Sequence, residues 1–187
     1  MKILNQDLKY GDLPNYVRKS FKGSAKLVRL KPGTLIFTLS NKSNMMTGVQ
    51  RQVTEWWTPA DKYHGDPGLK GRAAFAKKYG VDELDVYKDT AAYANKKSGL
   101  RYVVIAKLRV PAFAFYGKIR RQGRVVAIAT SRVSVADPGQ VKYINAFQGY
   151  QFYLPGLDLH KNIKRAKVID LFDNADTVEQ ADTMGAM

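Results

Sequence analysis

An arginine inside an early strand, a carboxylate beside paired indoles and a glutamine inside an aromatic strand are the side chains of this sequence best suited to hold a ligand. Arg29 lies in Ala25-Lys26-Leu27-Val28-Arg29-Leu30, whose alternation puts Leu27 and Arg29 on one face and Val28 and Leu30 on the other. A guanidinium on a rigid strand grips a phosphate in a bidentate fork. In Thr54-Glu55-Trp56-Trp57-Thr58-Pro59 two indoles stand between hydroxyls, next to a carboxylate. Such residues build the wall of a flat apolar slot, with Thr54 or Thr58 as a polar contact. Neighbouring strand residues face opposite ways, so at most one of Trp56 and Trp57 lines a slot. In Phe147-Gln148-Gly149-Tyr150-Gln151-Phe152-Tyr153-Leu154-Pro155 a glycine turn leads into an aromatic strand, offering Tyr150 as a further wall and Gln151 as an amide. Each residue also has a plain alternative: Arg29 as a solvated strand arginine, the tryptophans as core, Gln151 as a polar residue on an exposed strand face.

Other chemistries find less support. There is no Gly-x-Gly-x-x-Gly and no Walker loop. His64 and His160 each have an aspartate two residues away, Asp66 and Asp158, but no second histidine, so no metal site is expected. No serine sits in a Gly-x-Ser-x-Gly setting. The chain has no cysteine, which excludes disulfides, thiolate metal sites and a cysteine nucleophile.

Charge suggests a polyanionic partner. Lys and Arg number 31 against 16 Asp and Glu, a net charge of +15. The cations gather at Arg18, Lys19, Lys22 and Lys26, at Arg120, Arg121 and Arg124, and at Lys161, Lys164, Arg165 and Lys167. Interleaved with Tyr16, Phe21, Tyr116 and Tyr153, they suit phosphates and stacked bases; solvated faces are the alternative. No stretch approaches the ~18 apolar residues of a bilayer span, so no membrane partner is expected. The start, Met1-Lys2-Ile3-Leu4-Asn5-Gln6-Asp7, lacks a signal-peptide apolar core. The expected location is cytoplasmic, or reached by delivery or packaging without a signal peptide.

The elements that must position these residues follow from apolar periodicity. Strands are predicted at 25–30, 34–39, 102–110, 112–119, 124–129, 141–144, 150–154 and 166–171. The first two read as a hairpin about Pro32-Gly33. Helices are predicted near 16–22, over 69–79 with Gly80 as its stop, and from 82 through 94. Asp61 to Gly68 reads as a loop. The order of elements predicts an α+β fold, a twisted, mainly antiparallel split sheet with a few helices, in one domain over 1–187. Residues 1–24 read as a polar N-terminal arm and 174–187 as a mobile tail.

The three site segments together resemble the NAD-binding scaffold of ADP-ribosyltransferases and related NAD glycohydrolases, over about residues 26–171. In that family a glycine turn leads into a strand carrying the catalytic Glu or Gln, often followed by an aliphatic-proline step like Leu154-Pro155. Tyr116-Gly117-Lys118-Ile119-Arg120-Arg121-Gln122 is similar to a segment before that strand in some bacterial toxin members. The resemblance implies NAD as substrate, with Arg29 on the pyrophosphate and Thr54, Trp56, Trp57 and Tyr150 around the nicotinamide. It implies Gln151 as the catalytic residue, with Glu55 in reserve. Gln151 replaces a carboxylate that stabilises an oxocarbenium-like state, and Gly149 replaces the upstream acid of arginine-modifying members. Both departures favour hydrolysis of NAD over transfer to protein, or a fold without catalysis. The rival reading is a non-catalytic basic protein that binds nucleic acid or belongs to a phage or virion.

Overall fold

The computed structural model describes residues 3–41, 53–91, 100–120, 148–159 and 161–172. Within them lie seven strands: β1 (Lys26–Leu30), β2 (Leu35–Ser40), β3 (Trp56–Pro59), β4 (Tyr102–Leu108), β5 (Ala112–Lys118), β6 (Tyr150–Tyr153) and β7 (Ile163–Asp170). Three helices accompany them: α1 (Asn15–Ser20), α2 (Gly68–Tyr79) and α3 (Glu83–Thr90). The strands form one sheet in the order β1-β5-β6-β3-β2-β4-β7, with every pairing antiparallel and both ends open. The fold is α+β. The predicted strands at 124–129 and 141–144, the helical extension over 92–94 and the tail 174–187 lie outside the described residues.

The expected β1–β2 hairpin is not formed. Pro32-Gly33 does make a turn, with Gly33 at φ 90° and the Thr34 N–H donating to Lys31 O at 3.1 Å. The strands on either side then diverge: β1 pairs with β5 and β2 with β4. Arg109-Val110-Pro111 makes the matching corner between β4 and β5, and the Gly33 N–H donates to Leu108 O at 2.8 Å. These two corners carry the chain between the halves of a split sheet. Leu30, Ala112, Ala114, Tyr116 and Phe152 of one half meet Ile36, Val104, Ala106 and Leu108 of the other, around a fully buried Trp57. Turn chemistry sets where the chain bends; apolar partners in distant strands decide what each strand pairs with.

The opposite face is covered by helices. Tyr87 and Ala91 pack on Phe37, Leu39, Val103 and Ile105. The described helix ends at Thr90, and Ala91 is extended at φ −109°, ψ 154°. Asp82 caps the start of α3, accepting from the Leu84 N–H at 2.6 Å. On the other half, Leu13, Val17 and Phe21 lie against Phe115 and Tyr153. The described part of the expected polar arm therefore carries apolar residues that pack on the sheet. Leu13, Val17 and Phe21 recur every four positions, and Leu4 bridges to Ala112.

Candidate functional site

Strand alternation divides the sequence-predicted site residues between the two sheet faces. Arg29 stands opposite Phe113, Phe115 opposite Tyr153, Trp56 opposite Tyr153 and Gln151 opposite Gly117. Arg29, Trp56 and Gln151 therefore share the face on which α1 lies. Trp57 and Tyr150 belong to the other face. Trp57 is buried completely in the core, and its indole N–H donates to Thr54 O at 2.8 Å. Thr54 Oγ1 accepts from the Trp56 N–H at 3.2 Å, a local turn contact. Thr58 is fully buried and stands opposite Phe37.

On the α1 face a compact group forms where β3 meets β6. Trp56 is half-buried, with ring centroids 5.0 Å from Tyr153 and 5.9 Å from Phe21. The half-buried Glu55 carboxylate lies close enough to the Tyr153 hydroxyl for its charge to act on the phenol. Burial first, and the Glu55 charge second, push that phenol up to about 12. Gln151 lies two residues before Tyr153 and is 5% exposed. Its Nε2 donates to Ser20 O at 3.1 Å and Ser20 Oγ at 3.2 Å, which fixes the amide against the end of α1. Arg29 is exposed on the edge strand, two strands and four residues from Gln151, about 17 Å along the backbone grid.

Tyr150 belongs to a second aromatic group on the inner face. Its ring stacks on Tyr116 at 5.2 Å and 13°. The Tyr116 hydroxyl donates to Tyr63 O at 2.7 Å and His64 O at 3.2 Å, tying the 61–68 loop to the sheet. In that loop the exposed His64 takes φ 37°, a left-handed conformation rare outside glycine.

Sequence reasoning missed the group that holds the start of β6. Arg72 and Asp66 form a fully buried bidentate pair, with NH1–Oδ1 at 2.6 Å and NH2–Oδ2 at 2.8 Å. Asp66 also accepts from the Gly68 N–H at 2.9 Å and the Tyr150 N–H at 3.1 Å. Arg72 donates onward to Thr90 Oγ1 at 3.0 Å and Thr90 O at 2.7 Å. Gly149 packs so tightly on Thr90 that a Cβ there would land on its carbonyl oxygen. One ion pair thus joins the loop, α2, α3 and the glycine turn that opens β6. The turn was visible in the sequence. The pairing of two polar residues six positions apart across a loop was not.

The tyrosines supply a direct check. Burial raises Tyr63, Tyr87, Tyr116 and Tyr153, with Glu83 adding to Tyr87 and Asp66 to Tyr116. A folded-state phenol above its unfolded value stabilises the fold below about pH 10 and loses that contribution as pH rises through the folded pKa. Absorbance at 295 nm is expected to show part of the phenolate signal delayed beyond pH 10 and arriving with loss of structure. Full ionisation near pH 10 with the fold intact would contradict the burial of these rings.

No family model matches the chain. No curated protein matches it either. Among solved structures, a chain described as Rhs1-CT in complex with its cognate immunity protein RhsI1 is similar to it, with a TM-score of 0.43 and 13% identity. The match covers 80% of this chain and 83% of that one.

Proposed function

We propose that this chain binds NAD and cleaves its nicotinamide–ribose bond with water as acceptor. The observation that carries the reading is the grouping of Glu55, Trp56, Tyr153 and Gln151 at the β3–β6 junction. The half-buried face of Trp56 takes the nicotinamide ring. As the bond breaks, nicotinamide leaves with the electron pair and positive charge develops on the ribose. The Glu55 carboxylate supplies the negative charge that an amide at 151 lacks. Gln151, held by Ser20, orients the ribose hydroxyls and the water. The water oxygen bonds to the ribose carbon, and its released proton passes to Glu55 and then to solvent. The products are ADP-ribose, nicotinamide and a proton, so the step balances without a further reactant.

Arg29 has a smaller part than a buried arginine would have. It is exposed, so a pyrophosphate contact there is worth about 0–1 kcal/mol. Titration of NAD followed by tryptophan emission tests the binding step. The emission change is expected to saturate in the wild type and in Glu55→Gln. It should vanish in Trp56→Phe, where only the buried Trp57 still emits, and its midpoint should shift less than about fivefold in Arg29→Ala. A wild type without saturable change would end the proposal.

A further inference from the structure

We infer that the edge formed by β4, β7 and the β1–β2 corner is a binding surface for the phosphate backbone of duplex nucleic acid, read without base contacts; this does not rest on the NAD reading. Lys107 stands directly opposite Lys164, and Lys167 stands opposite Ile105. Lys164 and Lys167 are three residues apart, a spacing that puts strand residues on opposite faces. The register shift between Ile105 and Ala106 takes up Ala166 as the extra residue and returns both lysines to the face of Lys107. Like charges placed directly opposite destabilise a sheet, so the bulge brings cations together where a regular strand would separate them.

Other features extend the surface. Residues 164–167 are all exposed on the last strand of the described sheet. Lys31 and Lys161 are exposed at its corner, and the Lys107 side chain runs over Gly33 beside them. The chain has no Asp or Glu between Lys22 and Thr54, between Thr90 and Ala136, or between Leu159 and Ile169. Acidic residues gather instead from Glu55 to Asp89 and again from Asp170 to Asp182. The stretches that supply these lysines are therefore free of carboxylates in sequence. A protein partner would need an apolar anchor at the centre of its footprint. The large exposed apolar side chains of the described residues are Tyr10, Tyr16, Leu27, Tyr79 and Phe172, none of them among these lysines. Stacked single-stranded bases would need an aromatic there too. A cationic patch lacking both fits a duplex backbone.

The test is fluorescence anisotropy of a 20-base-pair duplex across a salt series. Wild type should bind at 50 mM salt and weaken steeply by 200 mM. The combined variant Lys107→Gln, Lys164→Gln, Lys167→Gln removes three phosphate contacts. Its slope of log affinity against log salt should be shallower by about 2–3. The matched variant Lys70→Gln, Lys77→Gln, Lys78→Gln removes the same charge from exposed positions of α2 and should keep the wild-type slope. Equal loss in both variants would reduce the effect to net charge and overturn the inference. So would no binding at 50 mM salt, or competition by polyglutamate as effective as by unlabelled duplex. NAD cleavage should be the same in both variants.

Discussion

Arg72→Ala is expected to destabilise the protein by about 3–5 kcal/mol, because it strips the arginine partner from a fully buried carboxylate. The Asp66 carboxylate would keep two backbone N–H donors, from Gly68 and Tyr150, but no cation. Thr90 Oγ1 and Thr90 O would each lose the Arg72 donor at the end of α3, and the hydroxyl would keep only its bond to the Val86 carbonyl. Asp66→Asn in the Arg72→Ala background removes the stranded charge and keeps an acceptor for one of the two N–H groups, which bond to different carboxylate oxygens. It should recover more than about 1 kcal/mol, a coupling expected of residues in direct contact. Urea midpoints of the two single variants and the double would measure this. Additive losses would mean that the pair does not act as a unit.

Gly149→Ala should cost at the upper end of overpacking, about 3 kcal/mol. The added methyl meets the Thr90 carbonyl, and that oxygen is already held by Arg72. Neither side can retreat: β6 is an inner strand, and Thr90 is locked between the arginine and the Val86 carbonyl. For a chain of this length the melting temperature should fall by about 6–12 °C. Gly11→Ala is the control, since nothing stands within 4 Å of its added methyl, and it should melt with the wild type. Equal melting of Gly149→Ala and wild type would show that the β6 turn is not clamped.

What could be read from the sequence was whatever local periodicity controls. The alternation of β1, the apolar run of β4 and the Gly80 stop of α2 lie close to their expected limits. Pairing was not legible, because Pro32-Gly33 bends the chain equally well into a hairpin or a corner. Only Phe113 and Ala106, far along the chain, distinguish the two outcomes. The N-terminal segment carried a usable signal in Leu13, Val17 and Phe21, which charge and Pro14 obscured. For the site, alternation placed Trp56 and Trp57 on opposite faces, but it could not say that Trp57 is the core residue. Nor could it say that the Gln151 amide is turned to Ser20, or that Glu55 stands by Tyr153. Those contacts join segments 131 and nearly 100 residues apart, where no sequence period operates.

The central claim stands or falls on nicotinamide release. Purified protein is incubated with NAD and the products are followed by proton NMR. Wild type should yield free nicotinamide and ADP-ribose in equal amounts, without attachment of ADP-ribose to the protein. Glu55→Gln should slow release about 10²–10³-fold while still quenching with NAD, the loss expected when one group that stabilises transition-state charge is removed. Gln151→Ala should lower turnover more than binding. Absence of nicotinamide from the wild-type reaction, or release at an unchanged rate from Glu55→Gln, would contradict the assignment of NAD cleavage to the β3–β6 junction.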